Sequence, residues 1–145
     1  METETTEGAF ALGCEPVVED VEHRRLLWLM AEYFNTMGCT ELKARLPGFQ
    51  PPPVLSGTIE DFRPDFTCRQ SNSGQTPLIA EVVTADDFEN PRADNRWSLL
   101  FSAARLYQAE LHFIVPKWHP KGPLETALRR RLGRMDLIPT RIWNV

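Results

Sequence analysis

Two acidic residues, Asp65 and Glu81, stand on either side of a turn-forming segment at residues 71–76. That segment reads Ser-Asn-Ser-Gly-Gln-Thr, and such residues favour tight turns, so the stretches that flank it are predicted to pair as a hairpin. If the turn is centred on its Ser-Gly step, Asp65 faces Val82 and lies diagonally beside Glu81. Two carboxylates at that spacing could share one Mg²⁺, which is commonly held by one or two carboxylates together with water and a substrate phosphate.

A sheet must hold the two acids in place, and the apolar pattern predicts its strands. Residues 57–69 read as a strand or a bent strand pair interrupted by Pro64, and residues 78–83 as a short apolar strand broken by one acid. Residues 111–115 form an apolar run typical of a buried strand. The helical stripe at residues 94–108 lies between the strands predicted at residues 78–83 and 111–115, so we expect a parallel crossover there.

The remaining elements are predicted to be mainly helical. Apolar residues recur at spacings of three and four over residues 16–37, and Gly38 is a favourable helix end. Residues 41–46 are expected to add a turn. A last helix is expected to open at Pro123, followed by a final strand at residues 140–143.

The order helix, hairpin, acid-bearing strand, helix and strand, with Arg63-Pro64-Asp65-Phe66 and Ala80-Glu81-Val82-Val83 on the two arms of the hairpin, resembles the PD-(D/E)XK nucleases. The resemblance implies a restriction-endonuclease-like fold, a single α/β domain with a mixed central sheet and flanking helices in α-β-β-β-α-β order. It implies hydrolysis of nucleic-acid phosphodiesters with Mg²⁺ or Mn²⁺. Asp65 and Glu81 would be the metal ligands, joined by the backbone carbonyl of Val82.

One position departs from the motif of that family. A lysine normally stands two residues after the second acid and steadies the nucleophile, whereas this chain has Val83 there. The change removes a fixed cation from beside the developing negative charge. Arg96, at the start of the helix after the acid strand, is the expected replacement by topology, ahead of Lys43 and Arg69.

A third acid, Glu22, precedes Leu26 and Leu29 by four and seven residues on the apolar stripe of the first helix. Many members of the family carry an acid on this helix near the metal, so the resemblance implies that Glu22 joins the site through water. The alternative is that Glu22 lies in the first helical turn, where the helix dipole favours an acid that remains in solvent.

The composition fits one folded domain. The chain has 145 residues, of which 42% are hydrophobic and 25% charged. Residues 1–15 lack a stable period and are predicted to be a mobile tail, so the nuclease-like domain is expected to span residues 16–145. The three cysteines have no CxxC spacing, which argues against a disulfide framework or a zinc ribbon.

The chain shows no secretory signal at its start and no apolar run approaching the ~18 residues of a membrane helix. These features favour a cytoplasmic protein without membrane contact. The net charge of −4 counts against a constitutive, tight DNA binder, so a nucleic-acid partner, DNA or RNA, would need a local basic patch. The dense basic run at residues 129–134 is equally well explained as a solvated helix face.

The histidines His23, His112 and His119 have no metal-ligand spacing, and the sequence gives them no role. A competing interpretation of the whole chain is a catalytically inactive nuclease-fold protein that acts as a binding or scaffold module, for a protein partner or as a homo-oligomer. The missing lysine and the acidic composition favour that interpretation, and the retained acid pair opposes it.

Overall fold

A computed structural model of the protein describes residues 20–145. The predicted tail at residues 1–15, and residues 16–19 of the predicted domain, lie outside this range. Within it, no helix has the length and apolarity that crossing a membrane requires.

The described chain alternates helices and strands around one sheet. The elements are α1 (Val21–Thr36), β1 (Thr40–Ala44), β2 (Phe66–Arg69), β3 (Pro77–Val82), a short 3-10 helix (Ala85–Glu89), α2 (Ala93–Tyr107), β4 (Glu110–Val115), α3 (Leu124–Gly133) and β5 (Arg141–Asn144).

The five strands form one mixed sheet in the order β1-β2-β3-β4-β5. Strand β2 pairs antiparallel with both β1 and β3, whereas β3, β4 and β5 run parallel to one another. Helix α2 makes the crossover between β3 and β4, as the sequence predicted. The prediction of a single α/β domain with a mixed central sheet is therefore confirmed.

Two apolar layers cover the sheet because successive side chains on a strand point to opposite faces. On one face, Leu26, Met30 and Phe34 of α1 pack against buried residues of the sheet that include Phe66 and Ile114. On the other face, helices α2 and α3 pack on the sheet, and the two helices and the sheet share a second set of buried residues: Ile79, Val83, Trp97, Leu100, Leu111, Phe113, Leu128 and Leu132.

Helix α1 has a clear beginning and end. The Asp20 carboxylate caps it by accepting the backbone N–H of His23 at 3.0 Å, which fixes His23 in the first turn. Gly38, with a φ of +86°, ends it as predicted, because glycine tolerates this left-handed conformation at a helix C-terminus.

Two sequence predictions fail on the α1-to-β2 connection. The predicted helical turn at residues 41–46 is instead largely the edge strand β1. An edge strand pairs on one side only and tolerates polar residues, so its sequence lacks the apolar pattern that predicts a buried strand. The predicted strand at residues 57–69 forms only at its end, in β2, with one isolated bridge between Leu55 and Phe62 before it.

Candidate active site

The two motif acids meet where β2 begins and β3 ends. The register pairs Phe66 with Ala80, one residue away from the predicted register, so the next step places Asp65 opposite Glu81 rather than opposite Val82. Both side chains are buried, with Asp65 1% and Glu81 8% exposed. The predicted proximity of the two acids is therefore confirmed, with a one-residue error in the predicted register.

Backbone N–H groups tie the two carboxyl groups together. The Asp65 N–H donates to Oε1 of Glu81 at 2.9 Å, and the Val82 N–H donates to Oδ2 of Asp65 at 2.9 Å. Each acid thus accepts a hydrogen bond from a backbone N–H on the opposing arm of the hairpin, at the point where the regular backbone pairing of the two strands ends. Val82, predicted to contribute its carbonyl, has its N–H engaged with the acid pair.

The environment of Glu81 opposes its ionisation. Burial, and after it the negative charge of Asp65, raises the pKa of Glu81 well above its usual range. The N–H of Asp65 and the charge of Arg45 act in the opposite direction and are outweighed. Two buried acids this close hold a proton unless a cation joins them.

His23 contacts the acid pair, although the sequence gave it no role. Its Nε2 lies 2.9 Å from Oδ2 of Asp65, and its side chain is 29% exposed. Burial alone would lower the pKa of His23, but the hydrogen bond and the charge of Asp65 more than compensate, so the pKa is raised. The raised pKa widens the pH range over which His23 is an imidazolium and balances the charge of the buried Asp65.

A third carboxyl group, Asp87, lines the same cavity. It belongs to the 3-10 helix after β3, where its Oδ2 accepts the N–H of Thr84 at 2.8 Å in a capping box. Burial is the main cause of a raised pKa for Asp87, and Asp65 adds to it. The capping pattern of Thr84 and Asp87, directly after the acid strand, is the sequence feature that could have indicated Asp87.

Two arginines border the cavity, and they differ in what they contact. Nη1 of Arg45 lies 3.9 Å from Oδ1 of Asp65. Arg96, the expected substitute for the lysine, instead places Nη2 3.3 Å from Oε1 of Glu60 and stacks its guanidinium 5.1 Å from the ring centroid of Phe62. Of these two arginines, Arg45 is the one paired with an acid of the site.

The other predicted participants lie elsewhere. Glu22 is exposed in the first turn of α1, because one residue along a helix turns the side chain by about 100° and His23 takes the inward position. This matches the alternative interpretation of Glu22 as a solvated acid at the helix start. Lys43 lines a different cavity, and Arg69 pairs with Glu41 at 3.5 Å.

The cavity is small, about 100 Å³, and it suits a hard cation better than a large ligand. Residues 20–145 contain no group of three or more histidine, cysteine or acidic side chains arranged to hold a metal. One oxygen each of Asp65 and Glu81 accepts a backbone N–H, which leaves Oδ1 and Oε2 for a further ligand. Two carboxylate oxygens plus water and phosphate fit the ligation that Mg²⁺ accepts, and do not fit a structural zinc site.

The basic run of α3 does not border this cavity. Arg129 pairs with Glu125 at 2.8 Å, while Arg131 pairs with Asp94 at 2.9 Å and lies over the ring of Trp97. Arg129, Arg130 and Arg134 are exposed, in agreement with the interpretation of the run as a solvated helix face, whereas Arg131 is partly buried.

Comparison of the chain with family models, with curated proteins and with solved structures found no match in any of the three.

Proposed function

We propose that this chain is a nuclease-like hydrolase that cleaves nucleic-acid phosphodiesters with a divalent cation at the Asp65–Glu81 pair. The observation that carries the proposal is the burial of these two acids opposite each other across a hairpin, in a polar cavity that also presents His23 and Arg45. A buried like-charge pair is costly unless it has a further role, and perturbed acids in a cavity are typical of catalytic sites.

The order of the elements supports the proposal. Helix α1, strands β1 to β3, helix α2 and strand β4 follow one another in the α-β-β-β-α-β order that the resemblance implies. Asp65 lies directly before β2 and Glu81 lies within β3, on the two arms of the hairpin, again as the resemblance implies. A restriction-endonuclease-like fold is thus part of the proposal.

Four side chains of the cavity have distinct roles in the proposed reaction. Oδ1 of Asp65 and Oε2 of Glu81 would hold Mg²⁺ or Mn²⁺, which supplies Lewis-acid polarisation of the phosphoryl group when bound. His23 orients Asp65 through the 2.9 Å contact with Oδ2. Arg45, half-exposed beside Asp65, can turn towards a phosphate oxygen and so supply the cation that the motif lacks.

One observation favours the inactive, partner-binding alternative. Val83, at the lysine position, is fully buried in the apolar layer under α2, so its side chain does not reach the cavity. Arg96, which does line the cavity, is paired with Glu60. In this alternative the cavity binds a cation for stability, and the chain recognises a partner without turnover.

The test is cleavage of labelled single- and double-stranded DNA and RNA in the presence of Mg²⁺ or Mn²⁺. We expect cleavage by the wild-type protein, its loss in Glu81→Gln, and its retention in Glu32→Gln, a matched change at an exposed position of α1 that lines neither this cavity nor the larger one described below. Cleavage that survives Glu81→Gln would contradict the assignment of the site. Metal binding without cleavage of any of the four substrates would overturn the hydrolase and favour the inactive alternative.

A further inference from the structure

A second cavity, of about 400 Å³, lies at the opposite end of α1 from the acid site. Its wall includes Tyr33 and Phe34 from the end of α1, and its floor includes His112 of β4 and Trp143 of β5. A volume of this size is within the range of small-molecule sites, roughly 300–1,000 Å³. The acid site is about four times smaller, at about 100 Å³.

The aromatic residues of this cavity form one cluster. The ring centroid of Tyr33 lies 5.3 Å from that of Trp143 and 5.6 Å from that of Phe34, and both pairs meet edge to face. Tyr33 is 42% exposed, so one aromatic surface remains open to the cavity mouth. A flat ring can stack there at little entropic cost, because the aromatic side chains are already held in place.

A chain of hydrogen bonds fixes the polar floor. The indole N–H of Trp143 donates to Nδ1 of His112 at 2.9 Å, and Nε2 of His112 lies 2.8 Å from Oε1 of Glu110. Because an indole nitrogen can only donate, Nδ1 carries no proton and His112 is neutral, with its proton on Nε2 directed at Glu110. Both ring nitrogens of His112 are thus engaged, and the second carboxylate oxygen of Glu110 remains to accept a hydrogen bond from a ligand.

Two donors complete the arrangement. The guanidinium of Arg141 lies over Trp143 at 3.4 Å from the ring centroid, and no hydrogen bond within residues 20–145 engages its N–H groups. Nε2 of Gln70, also in the cavity wall, is sealed from solvent and has no hydrogen-bond partner within residues 20–145. Rotation of that amide towards an entering acceptor would relieve an unpaired buried donor.

The charges of the cavity identify the kind of ligand. One acid, Glu110, and one base, Arg141, balance each other, so the cavity does not select a phosphate or an organic cation. It offers an aromatic surface, hydrogen-bond donors and one carboxylate acceptor. A neutral planar ring with a carbonyl on one edge and N–H groups beside it matches these features.

We propose that this cavity binds a nucleobase, with guanine as the best match, either as a free nucleoside or as one base of a single strand. Guanine presents O6 and N7 as acceptors for Arg141, and its N1–H and N2–H groups as donors for Glu110. The base stacks on the aromatic cluster, as bases do in other single-strand sites.

The test follows the indole N–H signal of Trp143 by NMR, identified among the four tryptophans by its loss in Trp143→Phe. The probes are guanosine, ribose 5-phosphate, and short single strands that contain either guanine or only adenine. We expect guanosine or the guanine strand to shift this signal, and ribose 5-phosphate to leave it unchanged. Binding of guanosine itself indicates a nucleoside site, and binding of the guanine strand alone indicates a strand site.

Variants locate the contacts. Arg141→Gln and Glu110→Gln should each weaken binding at least tenfold, whereas Arg105→Gln, an exposed position on α2, should not. Glu110→Gln keeps an acceptor for His112, so a dispersed spectrum should persist. The inference is overturned if neither guanosine nor the guanine strand shifts Trp143, if ribose 5-phosphate or the adenine strand shifts it equally, or if Arg105→Gln weakens binding as much.

This cavity shares no lining residue with the acid site. Loss of base binding and loss of metal binding are therefore distinguishable outcomes.

Discussion

A histidine–carboxylate pair lies near each end of helix α1, and the two pairs behave in opposite ways. At its start, His23 contacts Asp65 at 2.9 Å; near its end, where Phe34 packs on the ring of His112, that histidine contacts Glu110 at 2.8 Å. The pKa of His23 is raised, whereas that of His112 is lowered. The two contacts are almost equal in length, so the contact itself does not decide the charge.

The difference lies in the acids around each histidine. Burial is the largest single effect on both and lowers the pKa of each. At His23 it is outweighed by the hydrogen bond and charge of the almost completely buried Asp65, to which the charges of Asp87 and Asp20 add. In the second pair the histidine is buried and Glu110 is 34% exposed. Burial therefore dominates for His112 and lowers its pKa, and the charge of Arg141 adds to the effect.

The largest expected difference between the pairs is in stability. Asp65→Ala leaves the Val82 N–H and His23 without their buried acceptor, at a cost of about 2–3 kcal/mol in the free energy of unfolding. Glu110→Ala should cost about 0–1 kcal/mol, since water from the open cavity can replace a partly exposed acid. Urea denaturation of the two variants measures both costs, and equal costs would remove the distinction between the pairs.

A second difference is in how stability depends on pH. The folded protein holds the proton of Glu81 to higher pH than the unfolded chain does, so this group makes the free energy of unfolding fall as the pH rises from about 4.5 towards the folded pKa. Glu81→Gln keeps the size of the side chain and an acceptor for the Asp65 N–H but removes the titration. We therefore expect the variant to equal the wild type near pH 4 and to exceed it at pH 8.

Each unit of raised pKa is worth about 1.4 kcal/mol, and 1 kcal/mol shifts the Tm of a domain of this size by about 2–4 °C. Thermal denaturation from pH 4 to pH 8 measures the gap. His23 and Asp87 also titrate in the wild type, but they remain in the variant, so the comparison isolates Glu81. A gap that does not widen with pH would show that Glu81 ionises normally.

A smaller effect is visible in the histidines themselves. NMR titration of the imidazole signals should place the pKa of His23 above 6.5 and that of His112 below it. Because the folded pKa of His23 is raised, its contribution to stability is complete below 6.5 and is lost as the pH rises through the folded value. Asp65→Asn should lower the pKa of His23 and leave that of His112 unchanged; the reverse order of the two values would contradict this account of the surrounding charges.

The sequence predicts best where the apolar pattern is strong. The runs at residues 78–83 and 111–115 became β3 and β4, and the stripe between them became α2, because each element buries its apolar side chains against the sheet. Strand β1 was missed because its sequence, Thr-Glu-Leu-Lys-Ala, is mostly polar at the edge of the sheet.

The acid pair was predictable because its members flank a short turn, so the hairpin alone brings them together. The contact of His23 with Asp65 spans 42 residues and depends on how α1 docks on the sheet, which no local pattern encodes. Glu22 and His23 differ by one position on the helix, and the capping of α1 by Asp20 fixes which of them faces the acids. The pairing of Arg96 with Glu60 likewise depends on the path of the loop before β2.

The most direct test of the proposed metal site is calorimetric titration of Mn²⁺ at pH 8 into the wild-type protein, Asp65→Asn, Glu81→Gln and the matched control Glu110→Gln. We expect one ion to bind to the wild type and to the control, and no binding to either acid variant, because both carboxylates are needed to hold the ion. Absence of binding to the wild type at millimolar Mn²⁺, or equal binding to all four proteins, would contradict a metal site at the Asp65–Glu81 pair.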